Sequence, residues 1–493
     1  MPVQSTHLDY DANLSAWSRA RNVVAGEDAV KAAGELYLPR LDSQSDDEYL
    51  AYKTRASFFN ATSRTADGLV GLLFRRDPLI RLPEHGTGGP THHMNALGRA
   101  LHRFVNDADL LGTRLVSYAK NVVQEIIIVG RAGTLVDWEG AGEMRAYAAF
   151  YAAEQIINWH SERVNGRNVL TLVVLIEISQ KPKVDADEFQ AETVEQLRVL
   201  KLVPTGAPSA DGKQAWAYQV EIWQQSASKQ RRTKGNWEIV EKLTPLRLGQ
   251  PLPLIPFVFH GLRHSLPDVE KLLLADIIAV NLDHYRLNAD YKHGLHFTAL
   301  PTAWVSGFEK TDSLRIGSCT AWVAEAPGAT AGYLEFTGQG LMTFERALDR
   351  DEQLMAVLGS RMLEAQKLVG ESADAIELRQ SAENSVLSAV SLSVSDSLTH
   401  ILRWVFWWNS TEATPEAIST DAVLVKLNTD FSVKGMASDK ITALVAAWQA
   451  GAISRDTMFD LFRAGEVLPT GRSNEEELKL LVAQQTQSPP AHH

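Results

Sequence analysis

The chain has 493 residues and a mass of 54.4 kDa, about three times a typical domain length, so more than one cooperative unit is expected. Hydrophobic residues at 45% and charged residues at 22% are ordinary globular composition and exclude a disordered chain. Lys and Arg number 48 against 60 Asp and Glu; the net charge of -12 has the wrong sign for a wide grip on nucleic acid. A single cysteine, Cys319, excludes an intramolecular disulfide framework and any multi-cysteine zinc or iron–sulfur centre, and points to a reducing cytosol. The most apolar stretches, 122–129 and 401–408, are shorter than the roughly 18 residues of a membrane span and carry Gln124, Glu125 and Arg403. A soluble protein with no membrane partner is expected.

Apolar and aromatic residues at helical intervals (Tyr52, Ala56, Phe59, Leu69, Leu72, Leu73) predict a helix over 49–74, stopped by Asp77-Pro78. A glycine-rich turn spans 83–93. A second helical stretch covers 94–129 in two pieces and ends at Gly130-Arg131-Ala132-Gly133, after which 134–138 switches to strand composition. From 146 to 262 the period approaches two. The β-branched run 169–178, the alternation of Trp216, Tyr218, Val220 and Ile222, and the short run 237–240 predict an antiparallel sheet. The acidic segment 185–195 is expected to interrupt it as a solvated helix. Pro251, Pro253 and Pro256 make 252–259 an edge or extended segment.

A long helix is expected over 268–296, with Leu273, Ile277, Val280, Leu287 and Tyr291 on one stripe and Leu274, Ile278 and Tyr285 beside it. Short strands with glycine turns follow over 302–334, then a helix over 341–362, a loop around Gly370, and a capping-box-like start at Asp374 with Glu377. The helix over 375–409 is the strongest local signal. Val386, Val390, Val394, Leu398, Ile401 and Val405 share one face, and serines at 381, 385, 388, 391, 393, 395 and 397 keep much of the rest small. A strand at 422–427 and helices at 439–449, 455–463 and 475–482 complete the chain, the second helix capped by Ser454.

Motifs for chemistry are absent or fail on geometry. The stretch 206–213 imitates a phosphate loop but has five intervening residues instead of four, with Gln214 where the Mg²⁺-binding hydroxyl belongs. His284, His293 and His296, with Asp283 and Asp290, offer no converging ligand set, and neither HExxH nor GxSxG occurs. Asp349, Asp351 and Glu352 spread around a helix as a solvated face. The pair 439–463 resembles a helix-turn-helix but balances Arg455 and Arg463 with Asp456 and Asp460, too little charge to anchor phosphates. No catalytic, cofactor-binding or metal residue is assigned, and an enzyme is not expected. The rings of Trp404, Phe406, Trp407 and Trp408 cannot all face one core from one helix, which makes Trp404, Trp407 and Trp408 candidates for a subunit interface, with intradomain core the alternative.

The order of elements, α+β throughout, resembles the portal (head-tail connector) proteins of tailed bacteriophages. More closely it resembles a podovirus-like family first described as a domain of unknown function. The residues that carry this are Tyr37-Leu38-Pro39, Tyr52-Lys53, Arg55-Ala56, Phe58 and Asn60, Gly68 and Gly71 before Phe74-Arg75-Arg76-Asp77-Pro78, Gly130-Arg131-Ala132-Gly133 before Leu135-Val136-Asp137, and Ile255-Pro256. The resemblance spans roughly 30–465. It implies a ring of about twelve copies at one capsid vertex, a channel for genome packaging and ejection. It implies a wing at 1–267, stem helices at 268–296 and 341–363, and a clip at 297–340. A DNA-facing tunnel loop falls at 364–374, a long wing helix and strand at 375–435, and a short helical crown at 436–493. Gln366 and Lys367 would face double-stranded DNA, and Lys310 and Arg315 would face the motor or adaptor. The implied partners are the terminase large subunit, which supplies the ATPase, a tail adaptor, and the major capsid and scaffold proteins; the implied location is the virion, after assembly in the host cytoplasm. An acidic ring with sparse basic positions suits DNA that must slide, because deep affinity would hold it. The rival readings are another structural ring, adaptor or scaffold-like, and a metal-dependent nuclease.

Overall fold

The structure, a computed structural model, describes residues 2–83, 96–164, 166–182, 191–208, 214–225, 236–299, 302–307, 327–334, 340–363, 373–429, 431, 438–464, 467–468 and 473–487. Its content is mixed helix and sheet. The chain opens with α1 (Leu8–Ala25), α2 (Glu27–Ala32), α3 (Asp46–Arg55) and α4 (Ala61–Leu73). The single helix expected over 49–74 is thus two. Ala56 leaves helical backbone for ψ 144°, and Asn60 starts the chain again by accepting from the Ser63 N–H at 3.1 Å. Strand β1 (Leu79–Arg81) follows the Asp77-Pro78 stop.

Helix α5 (Ala96–Asn106) leads to α6 (Leu115–Val129), whose last eight residues are apolar or buried on nearly every side. A helix apolar all round belongs in a core. Its one buried acid, Glu125, is gripped by Arg21, which also donates from Nε to Glu154 at 2.5 Å. Gly130 ends α6 in the left-handed region (φ 77°), where glycine carries no Cβ penalty.

Two antiparallel sheets follow. Strands β2 (Arg131–Glu139) and β3 (Arg145–Ala152) pair with each other. Strands β4 (Ile156–Val164), β5 (Arg167–Pro182), β6 (Ala191–Pro208), β7 (Gln214–Gln225) and β8 (Trp237–Leu243) form a five-stranded meander in chain order. The described part of the expected acidic helix, 191–195, is strand: it opens β6 and pairs with β5, Glu195 opposite Ile178 and Ala191 opposite Pro182. The cross-strand ladder with β5 outweighs a local helix whose like charges would repel. After a small hairpin of β9 (Leu246–Arg247) and β10 (Gln250–Pro251), β11 (Phe257–Gly261) takes the edge beside β2 that its prolines predict. The close approach needs Gly133, since a Cβ there would lie 2.3 Å from Phe257 Cζ.

The C-terminal half holds α7 (Ala275–Ala299), the hairpin of β12 (Thr302–Ser306) with β13 (Thr330–Leu334), α8 (Leu341–Leu363) and the 36-residue α9 (Ala373–Trp408). Helix α7 starts at Ala275, seven residues later than expected. The preceding segment instead wraps the α6–β2 turn, with Glu270 O 3.5 Å from the position of a Gly130 Cβ and the Glu270 carboxylate accepting from Arg263 N at 3.2 Å. Strand β14 (Leu424–Lys426) pairs with β1, Ile80 opposite Val425, and closes the body. Helices α10 (Ser438–Gln449), α11 (Arg455–Ala464) and α12 (Asn474–Gln487) end it; Ser454 caps α11 through the Thr457 N–H at 3.1 Å.

On α9, Val390, Val394, Leu398, Ile401 and Val405 are buried, but Val386 is 48% exposed, so the apolar face runs one turn shorter than the sequence pattern. The serines do more than stay small. Ser391, Ser395 and Thr399, at four-residue spacing, line one row: Ser391 donates to Asn428 O at 2.8 Å, Ser395 Oγ accepts from Leu427 N at 2.9 Å, and Thr399 Oγ1 accepts from Val425 N at 3.0 Å. Ser393 and Ser397 form the second, Ser393 donating to Gly261 O at 2.8 Å and Ser397 meeting His260 Nδ1 at 2.8 Å. One row therefore bolts α9 to β14 and the other to β11.

Candidate functional site: a helical arm and its socket

Helices α7 and α8 run antiparallel. Tyr291 O–H donates to Glu345 Oε1 at 2.7 Å, His284 Nε2 lies 3.4 Å from Glu352 Oε1, and a Cβ on Gly294 would lie 2.8 Å from Leu341 Cδ2. From Gly294 back to Ile277, which faces Gly359, the pair stays together for about 26 Å at 1.5 Å per residue. The β12–β13 hairpin joins their far ends, where the Trp304 indole lies across Gly332, its cross-strand partner.

The root of this arm is set in the N-terminal helices by polar side chains. Asn281 Oδ1 accepts from Thr62 N (3.2 Å) and Thr62 Oγ1 (2.8 Å), while its Nδ2 donates to Phe59 O at 2.7 Å. Asn288 Oδ1 accepts from Ser57 N at 2.8 Å, Asp290 Oδ1 from the Tyr52 hydroxyl at 2.5 Å, and Arg286 Nε donates to Tyr37 O at 2.9 Å. Burial and the Asp290 carboxylate push the Tyr52 phenol well above its ordinary range, so it is always a donor here. The apolar stripe reading of α7 missed this socket. Asn281, Asn288 and Lys292, with Tyr285, recur at helical spacing on one face, and that recurrence was the signal available. Beyond the root the arm bares large apolar groups: Leu295, Phe297, Trp304, Tyr333 and Met342.

The histidines of α7 serve packing. His293 sits edge-on to Tyr52 and Phe297, and burial lowers its pKa. His284 is buried against Phe59 and Glu352. Next to it, burial and the neighbouring Asp283 raise the Asp351 pKa. Among the described residues no group of three or more His, Cys, Asp or Glu side chains is placed to hold a metal ion, and no helix is long and apolar enough to cross a membrane.

Gln366, Lys367, Lys310 and Arg315 lie outside the described residues. Trp404, Trp407 and Trp408 are only 7%, 2% and 8% exposed. Trp407 takes the Arg247 guanidinium at 4.0 Å from its ring centroid, and Trp408 lies against Trp138 and donates to Val136 O at 3.4 Å. They are core rings of this one chain, and an interface built on them would have almost no ring surface to use. Of the two readings the sequence left open for these rings, their burial in one chain favours the intradomain core: sheets and loops cover several sides of α9, not one.

Two buried groups escaped the sequence altogether. The Arg131 guanidinium lies between the Trp159 ring (3.6 Å) and the Phe259 ring (4.9 Å), with no hydrogen-bond partner among the described residues, and burial brings its pKa down to about 9. His260 joins a buried chain: Tyr118 hydroxyl to Thr134 Oγ1 at 2.7 Å, Thr134 to His260 Nε2 at 2.7 Å, then Ser397. Burial holds the His260 pKa at about 3, so the ring is neutral and bridges two hydroxyls.

Residues 273–409, the arm and the long helix, match the family model described as "Domain of unknown function (DUF4055)". This agrees with the resemblance drawn from the sequence, which pointed to a family first described in those terms. No curated protein matches the chain. Among solved structures it is similar to a chain from the virion of the native gene transfer agent (GTA) particle, at 11% identity over 89% of this chain and 98% of that one, with a TM-score of 0.38. It is similar also to a chain from the neck of the native GTA particle computed with C12 symmetry (9% identity, 85% and 94% covered, TM-score 0.36). A chain from the neck of the empty GTA particle computed with C6 symmetry gives 11% identity, 89% and 98% covered, and a TM-score of 0.37.

Proposed function

We propose that this chain is a phage portal protein: about twelve copies form a ring at one capsid vertex, whose channel passes double-stranded DNA during packaging and ejection. The observation that carries the reading is the arm. Two long antiparallel helices joined by a β-hairpin, rooted in the body and followed by a 36-residue helix, follow the order of stem, clip, stem and wing spine that the sequence resemblance implies, and this supports the reading. The arm's bare aromatic and aliphatic side chains fit a segment that packs against copies of itself, since apolar patches of this kind mark interaction sites. In this reading α7 and α8 are the stems, the hairpin the base of a clip that docks the terminase motor and the tail adaptor, 364–372, up to the start of α9, the tunnel loop with Gln366 and Lys367 toward DNA, and α10–α12 a short crown. Lys310 and Arg315 belong to the docking face of the clip. The chain itself would hydrolyse nothing; the motor supplies the work.

Native mass spectrometry with negative-stain imaging of the purified chain tests this. Twelve copies of 54.4 kDa come to about 653 kDa, and rings near that mass with a central hole are expected. A chain that stays monomeric at high concentration and with a scaffold partner overturns it. In assembled particles, Lys367→Glu should impair DNA packaging or retention; unchanged packaging removes the tunnel-loop role.

A further inference from the structure

The five-stranded sheet ends on β8; Trp237 at its start is partly buried and donates to Gln4 Oε1, but from Glu238 onward β8 is bare on both faces. Ile239, Val240 and Leu243 are 45%, 56% and 47% exposed, and the turn after them adds Leu246 and Leu248. Every residue of β8 from Glu238 to Leu243 is exposed, so neither side of this stretch is covered. An open apolar edge is something folded chains ordinarily cover or blunt with charge. The register shift between Ile222 and Trp223 places a bulge on this strand, which shortens the ladder available to another strand and leaves side chains to make the contact.

The opposite edge of the same sheet, β4, is half occupied. Its first part holds the N-terminal segment, His7 N donating to Ile157 O at 2.9 Å and Asn158 Nδ2 to Ser5 O at 2.8 Å; His160–Arg163 beyond it are exposed. The two open edges carry opposite unpaired charges. Glu238 and Glu241 stand on β8, Arg163 on β4 and Arg167 beside it on β5, and the side chains of these four make no ion pair or hydrogen bond among the described residues.

We infer that the β8 edge receives the free half of β4 from a second copy of this chain, so that the sheets of neighbouring subunits meet edge to edge. The contact is heterologous, one edge against a different edge, which is the kind that closes into a ring. Because residues 5–7 hold the first half of β4, the incoming β8 is displaced along the strand toward His160–Arg163. That displacement brings Glu241 to Arg163 and Arg167, and covers Ile239, Val240 and Leu243. The inference rests on the ring assembly proposed above and assigns it a surface in the sheet, away from the arm.

The test uses the full-length chain, followed by native mass spectrometry and sedimentation across a concentration series. Glu241→Arg and Arg163→Glu should each raise the concentration needed for assembly by about tenfold or more, and the double variant should recover most of it, as a paired charge contact requires. Circular dichroism and melting keep misfolding apart from lost assembly. Single variants that assemble like wild type, or a double variant no better than the singles, overturn the edge contact while leaving the ring intact. A wild-type chain that never assembles overturns the ring itself, and is distinguished by appearing before any substitution is made.

Discussion

The long helix α9 and the arm of α7 and α8 are both long helical structures with many polar residues, yet they spend those residues differently. On α9 the serines at 391, 393, 395 and 397 are short and buried, and each hydrogen-bonds to backbone or to His260. On α7 they are long amides and charges confined to the root, and the far end shows bare rings to its surroundings. A small hydroxyl lets a neighbouring backbone come close and satisfies its orphan groups, which makes a spine. An amide reaching across to a loop makes a mount. The difference predicts that injury to the spine costs folding, whereas injury to the arm's exposed half costs assembly.

The largest effect is expected at His260, where β11 meets α9. His260→Ala removes a fully buried ring and leaves Thr134 and Ser397 without a shared partner, a loss of about 3–4 kcal/mol in urea unfolding. The same residue makes the spine acid-sensitive. Its folded pKa of about 3 lies below the ordinary 6.5, so the unfolded chain binds the extra proton between those values. Stability is therefore full above pH 6.5 and falls as pH drops through the window, by roughly 2–3 kcal/mol at pH 4.5. His260→Leu should flatten that slope; an unchanged slope would place the acid sensitivity elsewhere.

Leu398→Ala and Phe297→Ala test the contrast directly. Leu398 is fully buried on α9, and its truncation should cost about 3 kcal/mol by melting. Phe297 is half exposed on the arm, so its truncation should stay within about 0.5 kcal/mol while weakening oligomers in native mass spectrometry. Equal stability losses at the two sites would erase the distinction between spine and mount.

These contrasts also mark what the sequence could disclose. Gly130, the prolines before β11 and the break at Asp77-Pro78 act through local backbone chemistry, and each fell where the residues indicated. The apolar face of α9 was legible from spacing, except at Val386, whose exposure depends on where the body ends rather than on period. Thr193 and Val194 joined a strand because a distant partner, β5, was waiting, and no local pattern encodes that. The two serine rows were visible as serines but not as bolts, since their acceptors and donors lie at Gly261, Val425, Leu427 and Asn428 in other elements. For the candidate site, the order of elements was legible while the socket was not: Asn281 looks like any polar residue until Thr62 and Phe59 are brought to it.

At the mount, Asn281→Ala should cost about 2 kcal/mol, because it strands the Thr62 N–H, its hydroxyl and the Phe59 carbonyl together. Hydrogen exchange should then quicken in α7 and at the start of α4 while β14 and α9 keep their protection. Uniform loss of protection would mean that the arm and spine unfold as one unit.

The smallest effect expected is at Asp351, between the two arm helices. Its carboxyl is held above the ordinary range by burial and by Asp283, with His284 and Arg350 opposing the rise. Here the sign is the reverse of His260: between the unfolded and folded pKa values the folded chain binds more protons, so stability declines as pH rises through that window and stays reduced above it. Asp351→Asn should remove the penalty, tightening α8 against α7 near neutral pH by a small increment and leaving acid stability nearly unchanged. The measurement is the difference in melting temperature between wild type and variant at pH 7.5 and at pH 4. A larger gain at pH 4 than at pH 7.5 would mean that Asp351 is ionised in a favourable contact, and the arm would then be held together by charge rather than by its socket.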